Sequence, residues 1–138
     1  MNSTFNLNTL KIADRIVLPK SGIGLIQHHA IYIGKDNNGN RLYVENAIGK
    51  GVQIVKETYL FRGGYELTRV ERFNGNEHQR KAAVKFAIQQ IGKHYDLFSF
   101  NCEHYANTVQ HNNSYSKQVG NGLLFGLFAL IVGVALAE

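Results

Sequence analysis

The chain contains a single cysteine, Cys102, and six histidines. A thiol is a good nucleophile only as the thiolate, and both a helix N-terminus and a neighbouring imidazolium lower its pKa. In a Cys/His pair the imidazole takes the thiol proton and later protonates the leaving group or activates a second acceptor. A lone cysteine in a reducing compartment is more often a small buried apolar residue than a nucleophile. The sequence around Cys102 must therefore decide between a nucleophile and a packing residue.

One strand and one helix must position such a pair. The segment QHHAIYIG, residues 27–34, reads as a strand in which His28 and Tyr32 share one face while His29 points to the other. The segment CEHYANTVQ predicts a helix that runs from about 101 to 111. Cys102 would then lie in the first turn of that helix.

The remaining pattern predicts an α+β fold, in which an antiparallel β-sheet packs against helices. The turn-forming run KDNNGN at 35–40 predicts a hairpin. A helix is predicted at 76–90, with Asn74 or Asn76 as its cap and Gly92 as its end. Strands are predicted at 15–18, 24–33, 41–46, 52–55 and 65–73.

Three segments together resemble one known family. YDLFSFNCEHYANTVQHNNSYSKQV, residues 95–119, resembles the Asn-Cys-Glu-His-Phe block of the lecithin:retinol acyltransferase (LRAT) family, which includes the HRAS-like suppressor phospholipase/acyltransferases. QHHAIYIG resembles that family's His-Trp-Ala-Ile-Tyr-Val-Gly strand, and ADRIV at 13–17 resembles its opening strand. The three segments follow one another in the same order as in that family. The resemblance implies a permuted papain-like thiol hydrolase fold, with an LRAT-like catalytic domain at 10–119.

The resemblance also implies site residues. By position, Cys102 is the acyl-accepting nucleophile and His28 is the base. His29 replaces an aromatic residue of the family and is the alternative base. Where relatives often carry a second histidine, this chain has Glu45, and a carboxylate can orient an imidazole and stabilise its cation.

Two further residues are candidates for contacting the oxyanion or the substrate, Tyr32 and Asn101. A tyrosine at such a position is more often simply packed. Backbone amides at the start of a helix are safer oxyanion donors, because they need no special side chain. His104 is expected to be structural, since one helix step of about 100° turns it away from the thiol.

The charge and the composition of the chain limit the classes of partner that it could bind. The net charge is +5, but the basic residues are spread without a compact run or a base-stacking motif, which argues against nucleic acid. Weak attraction to anionic lipid headgroups explains this positive charge better than nucleic-acid binding does. One cysteine and no helical histidine pair argue against a zinc site. No cofactor is implied.

The C-terminal segment LLFGLFALIVGVALA, residues 123–137, carries no charge. A helix of that length spans only about 22 Å, short of a bilayer core of roughly 30 Å. We expect a hydrophobic helix that anchors the chain to a membrane at 120–138, either by spanning or by inserting, with a buried core helix as the alternative. The N-terminus shows no signal-peptide pattern, so the catalytic domain is expected to face the cytoplasm.

These observations predict a thiol-dependent phospholipid acyltransferase or phospholipase A at a membrane. Cys102 would attack a lipid acyl donor and form a thioester, which water, an amine or a hydroxyl then removes. One alternative is a cysteine amidase or peptidase of the related superfamily. Another is a non-catalytic, membrane-bound interaction or membrane-perturbing protein. The sequence leaves the acceptor and the oligomeric state open.

Overall fold

The computed structural model describes residues 5–19, 27–64, 66–96 and 101–115 of the 138-residue chain. The predicted boundary at Val119 and the predicted apolar anchor at 120–138 lie outside these residues. No helix in the described ranges is long and apolar enough to cross a bilayer. The elements are a short 3-10 helix (Leu7–Thr9), β1 (Arg15–Pro19), β2 (Gln27–Lys35), β3 (Arg41–Ala47), β4 (Gly51–Lys56), α1 (Glu57–Leu60), β5 (Arg69–Glu71), α2 (Glu77–Gln89) and α3 (Cys102–Tyr115).

The strands form one five-stranded antiparallel sheet in the order β4-β3-β2-β1-β5. The predicted α+β class with an antiparallel sheet is therefore confirmed. Successive strands β1 to β4 lie side by side. The later strand β5 returns to the free edge of β1, where Arg15 pairs with Glu71 and Val17 pairs with Arg69.

Both faces of the sheet are covered, and β2 divides its residues between them. Ile31 packs with the face that carries α2 and α3, whereas Ala30 and Tyr32 belong to the opposite cluster with α1. This is the period-two division that the sequence predicts. The helix-side cluster is Ala13, Ile31, Val44, Val52, Phe73, Ala83, Ala87, Tyr105, Ala106 and Val109. The opposite cluster is Leu10, Ile16, Leu18, Ala30, Tyr32, Tyr43, Val55 and Leu60.

The predicted helix at 76–90 is observed as α2. Its start is fixed by a capping box in which the Asn76 side chain accepts a hydrogen bond from the backbone of Gln79 and the Gln79 side chain accepts one from the backbone of Asn76. Asn76, rather than Asn74, is therefore the cap. Gly92 follows the helix with φ +91°, a conformation that favours glycine.

Two elements differ from the sequence-based expectation. The strand predicted at 65–73 is observed only at Arg69–Glu71, because the pairing with β1 extends only from Arg15 to Val17. Helix α1 was not predicted, since four residues are too few to show a helical period.

Buried Asp14 joins the start of β1 to the segment before α2. Its side chain is 0% exposed. One carboxylate oxygen accepts from Arg80 at 2.8 Å and from the Phe73 amide at 2.9 Å, and the other accepts from Arg72 at 3.0 Å. Burial raises the pKa of Asp14, but the hydrogen bonds, led by that from Arg80, outweigh burial and hold the pKa below its usual value.

Candidate active site

Three neighbouring strands carry a line of polar side chains on one face of the sheet. Glu45 on β3 pairs with Ala30 on β2 and with Gln53 on β4. His28 precedes Ala30 by two residues, so its ring lies diagonally opposite Glu45 on the same face. His28 Nε2 lies 2.7 Å from Glu45 Oε1, and Gln53 Nε2 donates to Glu45 Oε2 at 2.7 Å.

Cys102 is the first residue of α3. Its neighbour Asn101 caps the helix: Asn101 Oδ1 accepts from the His104 amide at 2.9 Å, and the Asn101 amide donates to His104 Nδ1 at 3.4 Å. Deeper in the helix, the Tyr105 hydroxyl donates to the Ala87 carbonyl of α2 at 2.8 Å. The thiol is therefore held at a fixed helix N-terminus, where the helix dipole favours an anion.

The thiol lies beside the start of β2. Cys102 Sγ donates to the Gln27 carbonyl at 3.7 Å, and the neighbouring Cys102 side chain is one cause of a raised pKa of His28. Within the described residues, His28 Nδ1 is buried and has no oxygen, nitrogen or sulfur partner at regular hydrogen-bond geometry. Because Glu45 holds Nε2, Nδ1 is the ring nitrogen that remains for the thiol proton. The structure brings Cys102, His28 and Glu45 together, which sequence patterns alone did not establish.

The electrostatics of this group favour a charged imidazole. Burial lowers the pKa of His28, but the neighbouring Cys102 side chain and then the hydrogen bond with Glu45 outweigh burial and raise the pKa to about 9. Burial raises the pKa of Glu45, while hydrogen bonds from His28 and Gln53 bring it below its usual value. At neutral pH the arrangement therefore suits an imidazolium between a carboxylate and a thiolate.

The pair is largely but not completely buried. Cys102 is 5% exposed, and the His28 side chain is 12% exposed. His28 and Glu45 line a cavity of about 480 Å³ on the face of the sheet that carries α1. Cys102 is not among its lining residues, so His28 is the residue that the thiol and the cavity share. The other lining residues are Leu18, Pro19, Ala47, Ile48, Lys50, Tyr59, Leu60, Arg62 and Gly63.

His29, the alternative base, lies in a different environment. It is buried on the helix side of the sheet, where its Nδ1 lies 3.1 Å from Arg15 Nη1. Burial, and then the neighbouring Arg15 cation, lower the pKa of His29 to about 4. Arg15 also donates to Gln110 of α3 at 3.1 Å and forms an ion pair with Glu71 at 3.3 Å. This cluster ties α3 to the sheet and keeps the His29 ring neutral.

The structure does not bring Tyr32 to the pair. Tyr32 lies four residues from His28 along β2, roughly 13 Å at the usual rise of a strand. Its ring packs against Tyr43, with 5.6 Å between the ring centroids. Tyr32 therefore has the packing role that the sequence analysis gave as the commoner one, and its part as an oxyanion candidate stays a prediction.

Asn101 does lie beside the thiol, but its side-chain oxygen is used to cap α3. His104 is its capping partner and is exposed, which agrees with the structural role expected for it. Backbone amides at the start of α3 remain the oxyanion donors that the local geometry offers.

Gln53 is a site residue that the sequence motifs do not single out. The available signal was the hairpin between β3 and β4, because direct pairing with Glu45 puts both side chains on one face. In the described part of the chain, no group of three His, Cys, Asp or Glu side chains is placed to hold a metal ion.

Comparison with known proteins gives one family. The family described as permuted papain-like amidase enzyme, YaeF/YiiX, C92 family, matches residues 7–116. This confirms the permuted papain-like superfamily that the sequence predicted, although the match is to the amidase family rather than to the LRAT family. Neither the comparison with curated proteins nor that with solved structures found a match.

Proposed function

Because the chain belongs to the permuted papain-like amidase family of the YaeF/YiiX, C92 type, we propose that it is a thiol hydrolase that cleaves an acyl amide or ester through an acyl-Cys102 thioester. One observation carries this proposal. The largely buried His28 ring is held by Glu45 at 2.7 Å on Nε2, while its buried Nδ1 has no other partner among the described residues and the Cys102 thiol lies beside the adjoining Gln27 carbonyl.

In the proposed reaction, the resting enzyme already holds the thiol proton on His28 Nδ1, in line with the raised pKa of His28, and the Cys102 thiolate attacks the acyl carbonyl carbon. Amides at the start of α3 stabilise the oxyanion. The bond from carbon to the leaving nitrogen or oxygen then breaks, and the leaving group takes the proton from Nδ1. Water, deprotonated by the same nitrogen, attacks the thioester, which releases the acid and restores the Cys102 thiolate beside the charged His28 ring.

Glu45 acts through His28 in this scheme. Its carboxylate holds Nε2–H, so Nδ1 is left without a proton in the neutral ring and can accept one. When the ring becomes charged, the nearby carboxylate stabilises the cation. Gln53 keeps the carboxylate in place through its own hydrogen bond at 2.7 Å.

The cavity favours a substrate with an apolar acyl part. Five of its lining residues are apolar: Leu18, Pro19, Ala47, Ile48 and Leu60. An acyl chain placed against these side chains would lie beside the His28 ring.

Phospholipid acyl transfer or phospholipase A activity is the second candidate. It is favoured by the resemblance of QHHAIYIG and of the NCEHY block to acyltransferase motifs and by the uncharged segment at 123–137. In this version the segment holds the enzyme at a membrane with its catalytic domain in the cytoplasm, and the acyl donor is a membrane phospholipid. The same thioester then passes its acyl group to water or to another acceptor.

A substrate panel separates these functions. The full chain would be incubated with N-lauroyl amides, phosphatidylcholine vesicles and a set of peptides, and released acids and amines would be measured by mass spectrometry. The proposal expects cleavage of acyl amides or simple esters that is absent in Cys102→Ser. Activity on vesicles alone would favour the phospholipase, and cleavage of peptides alone would favour a peptidase. No product from any substrate would contradict the enzymatic proposal and favour a non-catalytic role.

A further inference from the structure

Two cations line the cavity next to the His28–Glu45 pair. They lie around one ring, that of Tyr59. The Lys50 Nζ donates to the Tyr59 hydroxyl at 2.6 Å and lies 5.0 Å from the ring centroid. The Arg62 guanidinium carbon lies 3.8 Å from the same centroid, and Arg62 Nη1 donates to the Tyr59 carbonyl at 2.8 Å. The ring and the carbonyl therefore hold both charges in defined positions.

Neither cation has an acidic partner among the described residues, whose salt bridges all involve other groups. Among the described residues that line the cavity, Glu45 is the one carboxylate. Its two oxygens already accept hydrogen bonds from His28 and Gln53. The cavity therefore carries two positive charges whose field no nearby carboxylate neutralises by direct contact.

We propose that Lys50 and Arg62 bind an anionic group of the substrate, a carboxylate or a phosphate, while the apolar side of the cavity holds the acyl part. This inference rests on the proposed hydrolase function, since it assigns the substrate class of that same site. The substrate is then an acylated acid or an acylated phosphate compound, with the scissile bond between the anionic group and the acyl chain.

The two side chains suit this task in complementary ways. A guanidinium presents several N–H donors in a planar fork that matches carboxylate and phosphate oxygens, and an ammonium adds a compact charge. Stacking on Tyr59 fixes the orientation of Arg62 before any ligand arrives, which reduces the entropy lost on binding. Lys50 is held by the hydroxyl group of the same ring.

A second reading is that the cations only tune the active site, because Arg62 contributes to the lowered pKa of Glu45. Such tuning would change the rate for every substrate alike. Recognition of an anion would change the preference between charged and neutral substrates, so selectivity is the quantity that separates the two.

The test uses two matched substrate pairs for the full chain: N-lauroylglycine against N-lauroylglycinamide, and N-lauroyl-O-phosphoethanolamine against N-lauroylethanolamine. Each pair has the same acyl chain and the same scissile amide, and only one member is anionic. The measured value is the ratio of kcat/KM for the anionic and the neutral member. We expect the wild-type chain to favour at least one anionic member by about tenfold or more, as charge-assisted hydrogen bonds imply. The two pairs show whether carboxylate or phosphate is preferred.

Lys50→Gln/Arg62→Gln should bring that ratio close to one. The matched control is Lys81→Gln/Lys85→Gln, which removes the same charge from exposed positions on α2, the helix on the other side of the sheet, and should keep the ratio. A wild-type ratio near one, or a preference that survives Lys50→Gln/Arg62→Gln, would overturn the proposal even if all four amides are cleaved.

Binding to Cys102→Ser separates this failure from failure of the hydrolase proposal. If the wild-type chain cleaves none of the four amides, calorimetric titration with each compound still measures anion preference. Tighter binding of an anionic member, lost in Lys50→Gln/Arg62→Gln, would support the anion site while the hydrolase proposal fails. Equal or absent binding of all four would overturn the anion site.

Discussion

The His28 ring and the Glu45 carboxylate meet across β2 and β3 at 2.7 Å, with the carboxylate side chain only 3% exposed. Gln53 on the next strand donates to the other carboxylate oxygen at 2.7 Å, so Glu45 is held on both sides. The imidazole thus has one nitrogen bound to a buried anion and the other left for the thiol of Cys102. This fixed order of groups is what the proposed chemistry requires.

The two adjacent histidines should behave differently on substitution. We expect His28→Ala to lower kcat/KM by roughly 10²–10⁴-fold, because the general base is lost. His29→Ala should lower the melting temperature, since it removes a ring that contacts buried Arg15, but should leave the rate per folded molecule within a few-fold. Kinetics and thermal melts of both variants check this. A large loss of rate in His29→Ala together with a nearly unchanged rate in His28→Ala would identify His29 as the base.

Glu45→Gln should shift the pH profile. The carboxylate is one cause of the raised pKa of His28, which is about 9, so its loss lowers that pKa. The alkaline limb of kcat/KM should therefore move down by about one pH unit or more. The stability that protonated His28 provides is fully present below its unfolded pKa of about 6.5 and is lost as pH rises through about 9.

Glu57→Gln is the matched control for that shift. Glu57 forms hydrogen bonds to Arg41 at 3.1 Å and to Tyr43 at 2.7 Å, away from the imidazole. Its substitution should leave the alkaline limb in place. An alkaline limb that is the same in wild type and Glu45→Gln would show that the carboxylate does not govern His28.

Asp14→Ala should destabilise the fold by about 3–5 kcal/mol, because two arginines would lose a buried partner. The pKa of Asp14 is lowered, so its contribution is present above the unfolded pKa of about 3.9 and is lost as pH falls through the lower folded value. Urea unfolding at several pH values measures this. Asp36→Ala, in the turn after β2, should lower the free energy of unfolding clearly less than Asp14→Ala does. Equal losses of stability in the two variants would argue against the Asp14 network.

Gly51→Ala and Gly49→Ala form a second matched pair for stability. Both glycines have positive φ, +72° and +76°, so each substitution costs about 1–2 kcal/mol of backbone strain. A Cβ at Gly51 would also clash with the Lys93 carbonyl oxygen, whereas a Cβ at Gly49 would meet no atom within contact distance. We expect Gly51→Ala to melt at a lower temperature than Gly49→Ala. Equal melting temperatures would contradict the close approach of β4 to the segment that follows α2.

Local patterns predicted much of the fold and of the pair. Strand alternation separated His28 from His29, and helix periodicity put Cys102 in the first turn of α3. Both are short-range properties of the chain, which is why the sequence reveals them. The diagonal contact of His28 with Glu45 depends on the register of β2 and β3, which shifts between Tyr32 and Gly34. A bulge of this kind has no clear sequence signal.

The cavity could not be predicted for a related reason. Its wall includes Tyr59 and Leu60 of α1, a helix of four residues, and α1 must pack back on the sheet before Lys50 and Arg62 meet at one ring. Strand alternation predicts that Tyr32 and His28 share one face of the sheet, but it does not predict how close their side chains lie. Tertiary packing, not local pattern, determines these features.

Intact-protein mass spectrometry, followed by peptide mapping, tests the central claim most directly. The full chain would be mixed with p-nitrophenyl laurate, an activated ester whose fast acylation lets a thioester accumulate, and quenched in acid. We predict one hydroxylamine-sensitive lauroyl group on the peptide that contains Cys102, far slower labelling in His28→Ala, and no such group in Cys102→Ser. Equal labelling in Cys102→Ser, or a wild-type chain that carries no lauroyl group on Cys102, would contradict the account.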